Sequence, residues 1–189
     1  MSPPAAPLNE PLDGPLPRAT LVLGGARSGK SRFAEALVAA HPGAHVYLAT
    51  AEAGDAEMAE RIRRHRARRG AGWTTIEEPL ELPRALAPAA QGNAAVLVDC
   101  LTLWLSNLMA AGRDVERETQ ALVEVLPRLA GPVVMVSNEV GLGIVPDNAL
   151  ARAFRDHAGL LHQSIAAAAD RVYFLAAGLP LLLKKERER

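Results

Sequence analysis

The chain has little that would mark it as secreted, membrane-embedded or nucleic-acid-binding. Its 189 residues include one cysteine, Cys100, which excludes an intrachain disulfide and fits a reducing cytoplasm. The 21 basic and 21 acidic residues cancel, so no global charge favours a nucleic acid or an anionic membrane as partner. No apolar run approaches the roughly 20 residues needed to cross a bilayer. With 49% hydrophobic residues, the chain is predicted to be a cytoplasmic globular protein without a membrane span.

The first 18 residues lack what a folded segment needs. Six prolines crowd this stretch, and each removes a backbone donor and fixes φ, so neither helix nor sheet can propagate there. The basic start and apolar centre of a secretion signal are also missing. We expect residues 1–18 to be a disordered leader, residues 19–184 to form a single domain, and residues 185–189 to be a charged tail.

Residues 24–31 read Gly-Gly-Ala-Arg-Ser-Gly-Lys-Ser, which matches the G-x-x-x-x-G-K-S pattern of a phosphate-binding loop. Glycines let the backbone curl so that its N–H groups point at phosphate oxygens. Lys30, expected to face solvent in the empty loop, would reach the β- and γ-phosphates, and the Ser31 hydroxyl would coordinate Mg²⁺. The loop therefore predicts nucleotide contacts at Gly24, Gly25, Ala26, Arg27, Ser28, Gly29, Lys30 and Ser31.

Short apolar runs alternate with helix-forming stretches along the chain. Strands are predicted at residues 20–23, 46–49, 73–76, 94–98, 132–136 and 172–176, and helices at 31–40, 52–69, 80–90, 101–111, 115–129 and 147–169. Gly178 and Pro180 turn the chain into a predicted antiparallel edge strand at residues 181–183. The alternation predicts an α/β fold like that of P-loop NTPases, with a doubly wound, mostly parallel sheet.

The last predicted helix has a clear start and an apolar face. Asp147 is placed to cap it. Its face toward the core is predicted to contain Leu150, Phe154, Leu161 and Ile165.

A carboxylate ends one of the apolar runs. Asp99 closes the run at residues 94–98, where a P-loop protein needs a carboxylate to hold Mg²⁺ or its waters. The simpler interpretation is a capping aspartate at a strand-to-helix turn. The phosphate-binding loop favours the metal role. The adjacent Cys100 is interpreted as a small buried residue, because no histidine is near it in sequence.

The loop at residues 137–146 follows another predicted strand. In doubly wound folds, ligands bind beyond the carboxyl ends of the strands, and two glycines with a carboxylate, Glu139, suit contact with a substrate. A connecting loop with an exposed Glu139 is equally compatible with the sequence.

Residues 61–69 contain a local excess of arginine. The segment is compatible with a solvated helix face, with nucleic-acid contact, or with recognition of a triphosphate by guanidinium groups. Few aromatic residues accompany it and the chain is neutral, which disfavours nucleic acid. His65 lies among these cations, which favour its neutral, nucleophilic form. The five histidines and one cysteine show no metal-ligand spacing.

Together these segments resemble the bifunctional adenosylcobinamide kinase/adenosylcobinamide-phosphate guanylyltransferase family of cobalamin biosynthesis. The P-loop alone is common to many families, but its occurrence with RIRRHR and NEVGLGIVP is highly specific. The matching segments follow one another in family order: GGARSGKSRFAE, YLAT, EMAERIRRHR, WTTIE, VDCLT, SNEVGLGIVP, LAR, AAADRVYFLAAG and LLLK.

The resemblance implies two activities and a set of site residues. The kinase step would phosphorylate adenosylcobinamide from ATP or GTP, and the second step would move GMP from GTP to the cobinamide phosphate through a guanylylated histidine, which falls on His65. Lys30 would assist catalysis, and Mg²⁺ would be held by Ser31 and Asp99. Nucleotide contacts carry over to Thr50, Ala51, Glu52, Arg66, Ala67, Arg68, Arg69, Glu77 and Asp99.

Three details depart from or go beyond that pattern. The metal-side carboxylate can be Glu in the family and here is the shorter Asp99, while Ala67 can offer only its backbone. The proline-rich leader does not belong to the family core. The resemblance also implies a homotrimer, which the sequence itself does not show.

Two other functions compete with this prediction. A monofunctional P-loop small-molecule kinase would need Lys30, Ser31 and Asp99 but not His65. A regulatory GTPase is disfavoured because the guanine-reading N-K-x-D pattern is absent from the sequence.

Overall fold

The computed structural model describes residues 14–51 and 72–185. The helix predicted over residues 52–69, and with it His65, Glu52 and Arg66, Ala67, Arg68 and Arg69, lies outside the described residues. The strands are β1 Ala19–Gly24, β2 His45–Ala49, β3 Trp73–Glu77, β4 Ala95–Asp99, β5 Val133–Asn138, β6 Arg171–Ala176 and β7 Leu179–Lys185. The helices are α1 Lys30–Ala39, α2 Leu82–Ala89, α3 Leu101–Ala110, α4 Val115–Val125 and α5 Ala149–Ala168, and a short 3₁₀ turn spans Leu126–Arg128.

The described strands form one seven-stranded sheet in the order β3-β2-β4-β5-β1-β6-β7. All neighbouring pairs are parallel except β6 and β7, which are antiparallel. The predicted α/β fold with a mostly parallel sheet and an antiparallel edge near the C-terminus is confirmed. Because every strand from β1 to β6 runs the same way, their carboxyl ends meet along one edge, where ligands bind in such folds.

Alternating side chains of the strands build two hydrophobic layers. In β1, Leu21 and Leu23 join the layer covered by α2 to α5, whereas Val22 joins the layer on which Phe33 and Leu37 of α1 pack. These strands are apolar on both faces because helices cover both sides of the parallel sheet. The first layer centres on Trp104 of α3, which is fully buried and donates its indole N–H to the Leu80 carbonyl at 2.8 Å.

Strand order decides which loops become neighbours. β5 lies between β1 and β4, so that Gly24 pairs with Asn138, and Asp99 pairs with Val136. The phosphate-binding loop after β1, the loop after β5 and Asp99 at the end of β4 therefore meet at one edge. The sequence predicted the strands but not this order, because the pairing of β1 with β5 joins segments more than a hundred residues apart.

The start of the last helix differs from the prediction. Asn148, not Asp147, caps α5, because its side-chain oxygen accepts a hydrogen bond from the Ala151 N–H at 2.7 Å. Leu161 and Ile165 are buried as expected and Phe154 is partly buried, but Leu150 is 70% exposed. The first turn of α5 follows an exposed loop at residues 141–148 and does not reach the core.

The end of the leader contacts the domain. Leu16 packs against the layer under α1, and the Arg18 guanidinium donates to the Pro127 carbonyl at 3.1 Å. The Arg18 carbonyl also accepts a hydrogen bond from the Val133 N–H at 2.8 Å. The domain boundaries stay a prediction. Because Leu16 and Arg18 contact the domain, a truncation that removes only the leader should end before Gly14.

Deleting residues 2–13 is expected to leave thermal stability and activity nearly unchanged, because this proline-rich stretch has little apolar surface to bury. The melting temperature should move by less than about 2 °C. Deleting residues 2–18 is the matched comparison and should cost more, because it removes Leu16 and Arg18. The melting temperatures of the wild type and the two deletion variants should be measured by thermal unfolding. An equal fall in melting temperature in both variants would show that residues 2–13 stabilise the domain.

Candidate nucleotide-binding site

The phosphate-binding loop has the backbone that its glycines predict. Gly24 and Gly29 have φ values of 151° and 101°, and Arg27 has a φ of 56° in the left-handed region. α1 starts at Lys30, directly after Gly29. The loop thus turns into the N-terminus of a helix, where unpaired N–H groups and the helix dipole favour an anion.

The end of β6 and the β6–β7 turn pack against this loop. A Cβ atom at Gly24 would lie 2.4 Å from the Leu175 carbonyl oxygen, so only glycine fits there. The Gly178 N–H donates to the Ser28 carbonyl at 2.9 Å, and a Cβ at Gly29 would meet the Gly178 Cα at 3.2 Å. The sequence predicts a turn at Gly178 but does not indicate its contact with the phosphate-binding loop.

Lys30 does not face solvent, which corrects the expectation from sequence. Its side chain is buried and the Nζ atom donates to the Gly25 carbonyl at 2.6 Å. The loop therefore holds the ammonium against its own backbone, at the Gly25 carbonyl. In a nucleotide complex, a phosphate oxygen would accept from the Lys30 ammonium in place of the carbonyl oxygen. A hydrogen bond to a charged oxygen is stronger than one to a neutral carbonyl.

Asp99 is partly buried at the end of β4, and its Oδ2 atom accepts a hydrogen bond from the Tyr47 hydroxyl at 3.2 Å. Ser31 lies partly buried in the first turn of α1. Hydroxyl and carboxylate oxygens are the hard ligands that Mg²⁺ prefers, so these two residues fit the ion as partners of nucleotide phosphates. No group of three or more His, Cys, Asp or Glu side chains in residues 14–51 and 72–185 could hold a metal by itself.

The other predicted contacts lie farther along the same edge. Thr50 and Ala51 follow β2, and Glu77 ends β3, which places them three and four strands from β1. At a strand spacing of about 4.8 Å, Glu77 is roughly 19 Å from the phosphate-binding loop. Asp99 lies two strands from β1, between the phosphate-binding loop and Thr50, whose backbone N–H donates to the Asp99 carbonyl at 3.4 Å. Glu77 lies farthest from the loop.

Thr50 is fixed by two hydrogen bonds to a neighbouring strand end. Its buried Oγ1 atom donates to the Cys100 carbonyl at 2.8 Å and accepts from the Cys100 N–H at 2.9 Å. Asn107 of α3 donates to the carbonyls of Thr50 at 2.8 Å and Pro79 at 3.1 Å. The Thr50 hydroxyl thus joins β2 to β4, and Asn107, which the sequence did not indicate, joins the ends of β2 and β3. Cys100 is buried, as predicted.

The described histidines occupy different parts of the fold. His41 and His45 precede or begin β2, at the amino-end edge opposite the phosphate-binding loop, where the His45 Nε2 atom lies 2.9 Å from the His41 carbonyl oxygen. His162 of α5 is buried, with its Nε2 atom 2.7 Å from the Ser137 hydroxyl oxygen and its Nδ1 atom 3.7 Å from Glu139 Oε2.

Burial lowers the pKa of His162 below its ordinary value of 6.5, although the nearby Glu139 carboxylate opposes that shift. The folded state therefore favours the neutral imidazole. As the pH falls through about 6.5, the unfolded chain takes up a proton that the folded chain does not, so the free energy of unfolding decreases. Above that pH, His162 is neutral in both states and does not change the free energy of unfolding with pH.

We expect His162→Gln to lose part of this acid sensitivity. Denaturant unfolding of wild type and variant should be compared between about pH 7.5 and pH 5. The stability of the wild type should fall more steeply in the acidic half of that range. His157→Gln, on the same helix, is the control and should follow the wild type. Identical slopes for all three proteins would contradict the burial argument.

Comparison with known proteins identifies the family. Residues 20–183 match the model of the family described as cobinamide kinase / cobinamide phosphate guanyltransferase. The chain belongs to this family. The bifunctional adenosylcobalamin biosynthesis protein CobP of Pseudomonas aeruginosa is 53% identical over 168 residues, covering 88% of this chain and 97% of that protein. The protein CobU of Salmonella typhimurium, with the same description, is 41% identical over 179 residues, covering 87% and 98%.

Membership in the cobinamide kinase/guanyltransferase family makes this protein an enzyme of the transferase class. A solved structure of an ATPase from a bacterial type III secretion system superposes with a TM-score of 0.55 at 14% identity, covering 85% of this chain and 51% of that one. This likeness supports the fold alone. None of the helices in the described part of the chain is long and apolar enough to cross a membrane.

Proposed function

We propose that this enzyme phosphorylates adenosylcobinamide and then converts the product to adenosylcobinamide-GDP. In the first reaction, the substrate hydroxyl attacks the γ-phosphorus of ATP or GTP and the nucleoside diphosphate leaves. In the second, a GMP group passes from GTP to adenosylcobinamide phosphate, and pyrophosphate is released. The observation that carries the proposal is the phosphate-binding loop in a chain whose family match spans residues 20–183.

The kinase step is assigned to the edge formed by the ends of β1, β5 and β4. N–H groups of the loop and of the first turn of α1 bind the phosphates, and Lys30 stabilises the charge that develops on the transferring phosphoryl group. Ser31 and Asp99 would hold Mg²⁺, which would neutralise phosphate charge when bound. Tyr47 keeps the Asp99 carboxylate oriented through its 3.2 Å hydrogen bond.

The guanylyl step is assigned to His65. Its neutral imidazole attacks the α-phosphorus of GTP, pyrophosphate leaves, and the resulting phosphoramidate passes GMP to the cobinamide phosphate. Two observations support His65 over three of the four described histidines, since His41 and His45 lie at the opposite edge and His162 is buried among protein groups. The contacts proposed for the nucleotide in this step are Thr50, Ala51, Glu52, Arg66, Ala67, Arg68, Arg69 and Glu77.

The assembly and location of the enzyme are also proposals. We propose a homotrimer, on the family resemblance, and a cytoplasmic enzyme, on the single unpaired cysteine. The proposed partners are the corrinoid substrate and nucleotides, with no nucleic acid, because the chain carries no net charge.

The proposal is tested by supplying purified protein with adenosylcobinamide, ATP, GTP and Mg²⁺ and following the corrinoids by mass spectrometry. Two successive products are expected, first the phosphate and then the GDP derivative. Supplying ATP alone should stop the reaction at the phosphate. Accumulation of the phosphate even with GTP present would instead support a monofunctional P-loop kinase.

A further inference from the structure

A group of three side chains next to the phosphate-binding loop, two of them buried, is not used by the steps above. Ser137 ends the buried part of β5, Glu139 is the first residue after that strand, and His162 lies on α5. The Ser137 hydroxyl oxygen is 2.7 Å from His162 Nε2, and His162 Nδ1 is 3.7 Å from Glu139 Oε2. The three side chains thus form a row that ends in a carboxylate.

The row does not have the properties of a hydrolytic triad. Ser137 is completely buried within the sheet, so no external substrate can reach its hydroxyl. The exposed end of the row is Glu139, whose side chain keeps 22% of its surface accessible. The chemistry available at this place is therefore that of the carboxylate, and His162 and Ser137 lie behind it.

Glu139 is fixed against the phosphate-binding loop. Its backbone N–H donates to the Gly24 carbonyl at 3.0 Å, and its Oε1 atom accepts a hydrogen bond from the Gly141 N–H. The preceding residue is held as well, because the side chain of Asn138 donates to Thr102 Oγ1 at 3.0 Å. These contacts hold the carboxylate in place before any ligand binds, as a group that acts in catalysis requires.

Position along the sheet distinguishes Glu139 from the other carboxylates. β5 is next to β1, whereas Asp99 is two strands away and Glu77 is four. Among the carboxylates at or just beyond the carboxyl ends of the described strands, Glu139 is the nearest to Gly24 in strand spacing. Asp99 is already assigned to Mg²⁺ in the proposed function. The kinase step still needs a group that takes the proton of the substrate hydroxyl.

We infer that Glu139 is the catalytic base of the kinase step and that His162 is the positioning residue that orients its carboxylate. This inference rests on the proposed function. The substrate oxygen forms a bond to the γ-phosphorus, the bond from that phosphorus to the bridging oxygen breaks, and the electron pair leaves with the nucleoside diphosphate. The hydroxyl proton moves to a Glu139 oxygen and then to water. A carboxylate has about four lone-pair sites, so its contacts with Gly141 and His162 leave capacity for this proton.

The two activities of the enzyme provide an internal control. A substrate hydroxyl must lose a proton when it is phosphorylated, whereas the phosphate of adenosylcobinamide phosphate is already ionised when it accepts GMP. Glu139→Gln should therefore lower kcat of the kinase step by about 10²- to 10⁴-fold. The rate of GMP transfer to supplied adenosylcobinamide phosphate should stay within about threefold of wild type, and this rate also reports that the variant is folded.

The matched control is Asp147→Asn, which removes a carboxylate from the exposed end of the same loop and should leave both rates unchanged. Equal loss of both activities in Glu139→Gln, or loss of neither, would overturn the inference.

Wild-type protein that lacks both activities would refute the proposed function itself, so the two failures are distinguishable. If Glu139→Gln does not fold, Glu139→Asp keeps the charge on a shorter side chain and should show a smaller, equally selective kinase loss.

His162 is tested by a pair of substitutions. Glutamine can accept from Ser137 and donate to Glu139, whereas phenylalanine fills the space without either contact. We expect His162→Phe to lower kcat of the kinase step with little change in KM for the nucleotide, and His162→Gln to restore most of kcat. Equal losses in the two variants, or a change in KM alone, would contradict a positioning role.

Discussion

His65→Ala is expected to abolish GMP transfer while phosphorylation of adenosylcobinamide continues. The kinase step uses the substrate hydroxyl as its nucleophile and needs no imidazole on the protein. The guanylyl step needs one, and three of the four described histidines are unsuited to it, because His41 and His45 lie at the opposite edge and His162 is buried. The measurement is the rate of each reaction with its own substrate supplied.

His65→Asn and His65→Gln are the controls for hydrogen bonding, because their side chains are polar but not nucleophilic, and they should fail in the same way. A His65→Ala protein that still makes adenosylcobinamide-GDP at a substantial rate would show that another residue carries GMP. His157→Ala, a change in a different histidine of the chain, should leave both reactions intact.

Lys30→Met is expected to lower the rate of the kinase step by at least about 10²- to 10³-fold, because it removes a cation from the centre of the phosphate-binding loop. Methionine is chosen because the structure buries the Lys30 side chain, so alanine would leave a cavity and confuse catalysis with folding. Thermal unfolding should show a folded protein. Lys184→Met, a lysine whose Nζ atom donates to carbonyls at the end of α5, is the control and should affect stability rather than phosphorylation.

A folded Lys30→Met protein that phosphorylates adenosylcobinamide at a near-normal rate would remove the assignment of the kinase step to this loop. If guanylyl transfer is lost as well, the same loop also binds the triphosphate in the second reaction. The variant therefore also shows whether the two steps share one nucleotide site.

Much of the fold could be read from the sequence because its signals are local. The phosphate-binding loop fixes eight consecutive residues between a strand and a helix, and Asp99 directly ends an apolar run. The edge strand β7 is predicted from Gly178, Pro180 and the apolar residues behind them, although Pro180 lies within the strand and pairs with Leu175. Each of these inferences needed only neighbouring residues.

What the sequence did not reveal depends on pairs that are distant in the chain. The support of Gly24 by the Leu175 carbonyl and the contact between Ser137 and His162 exist only because β5 inserts beside β1 and β6 lies on its other side. Leu150 matched the helical period of α5 but lies in a turn that extends past the core, so spacing alone overestimated its burial. The burial of Lys30 depends on the curl of its own loop, which composition does not show.

Transfer of GMP through His65 requires a labelled protein intermediate, which a chase experiment detects. Purified enzyme is incubated with GTP labelled at the α-phosphorus, separated from free nucleotide, and then given adenosylcobinamide phosphate. We expect label on the protein that is acid-labile and base-stable, as a phosphoramidate is, and that moves to adenosylcobinamide-GDP when the corrinoid is added. Protein that carries no such label while GMP transfer proceeds, or label that stays on the protein during the chase, would contradict it.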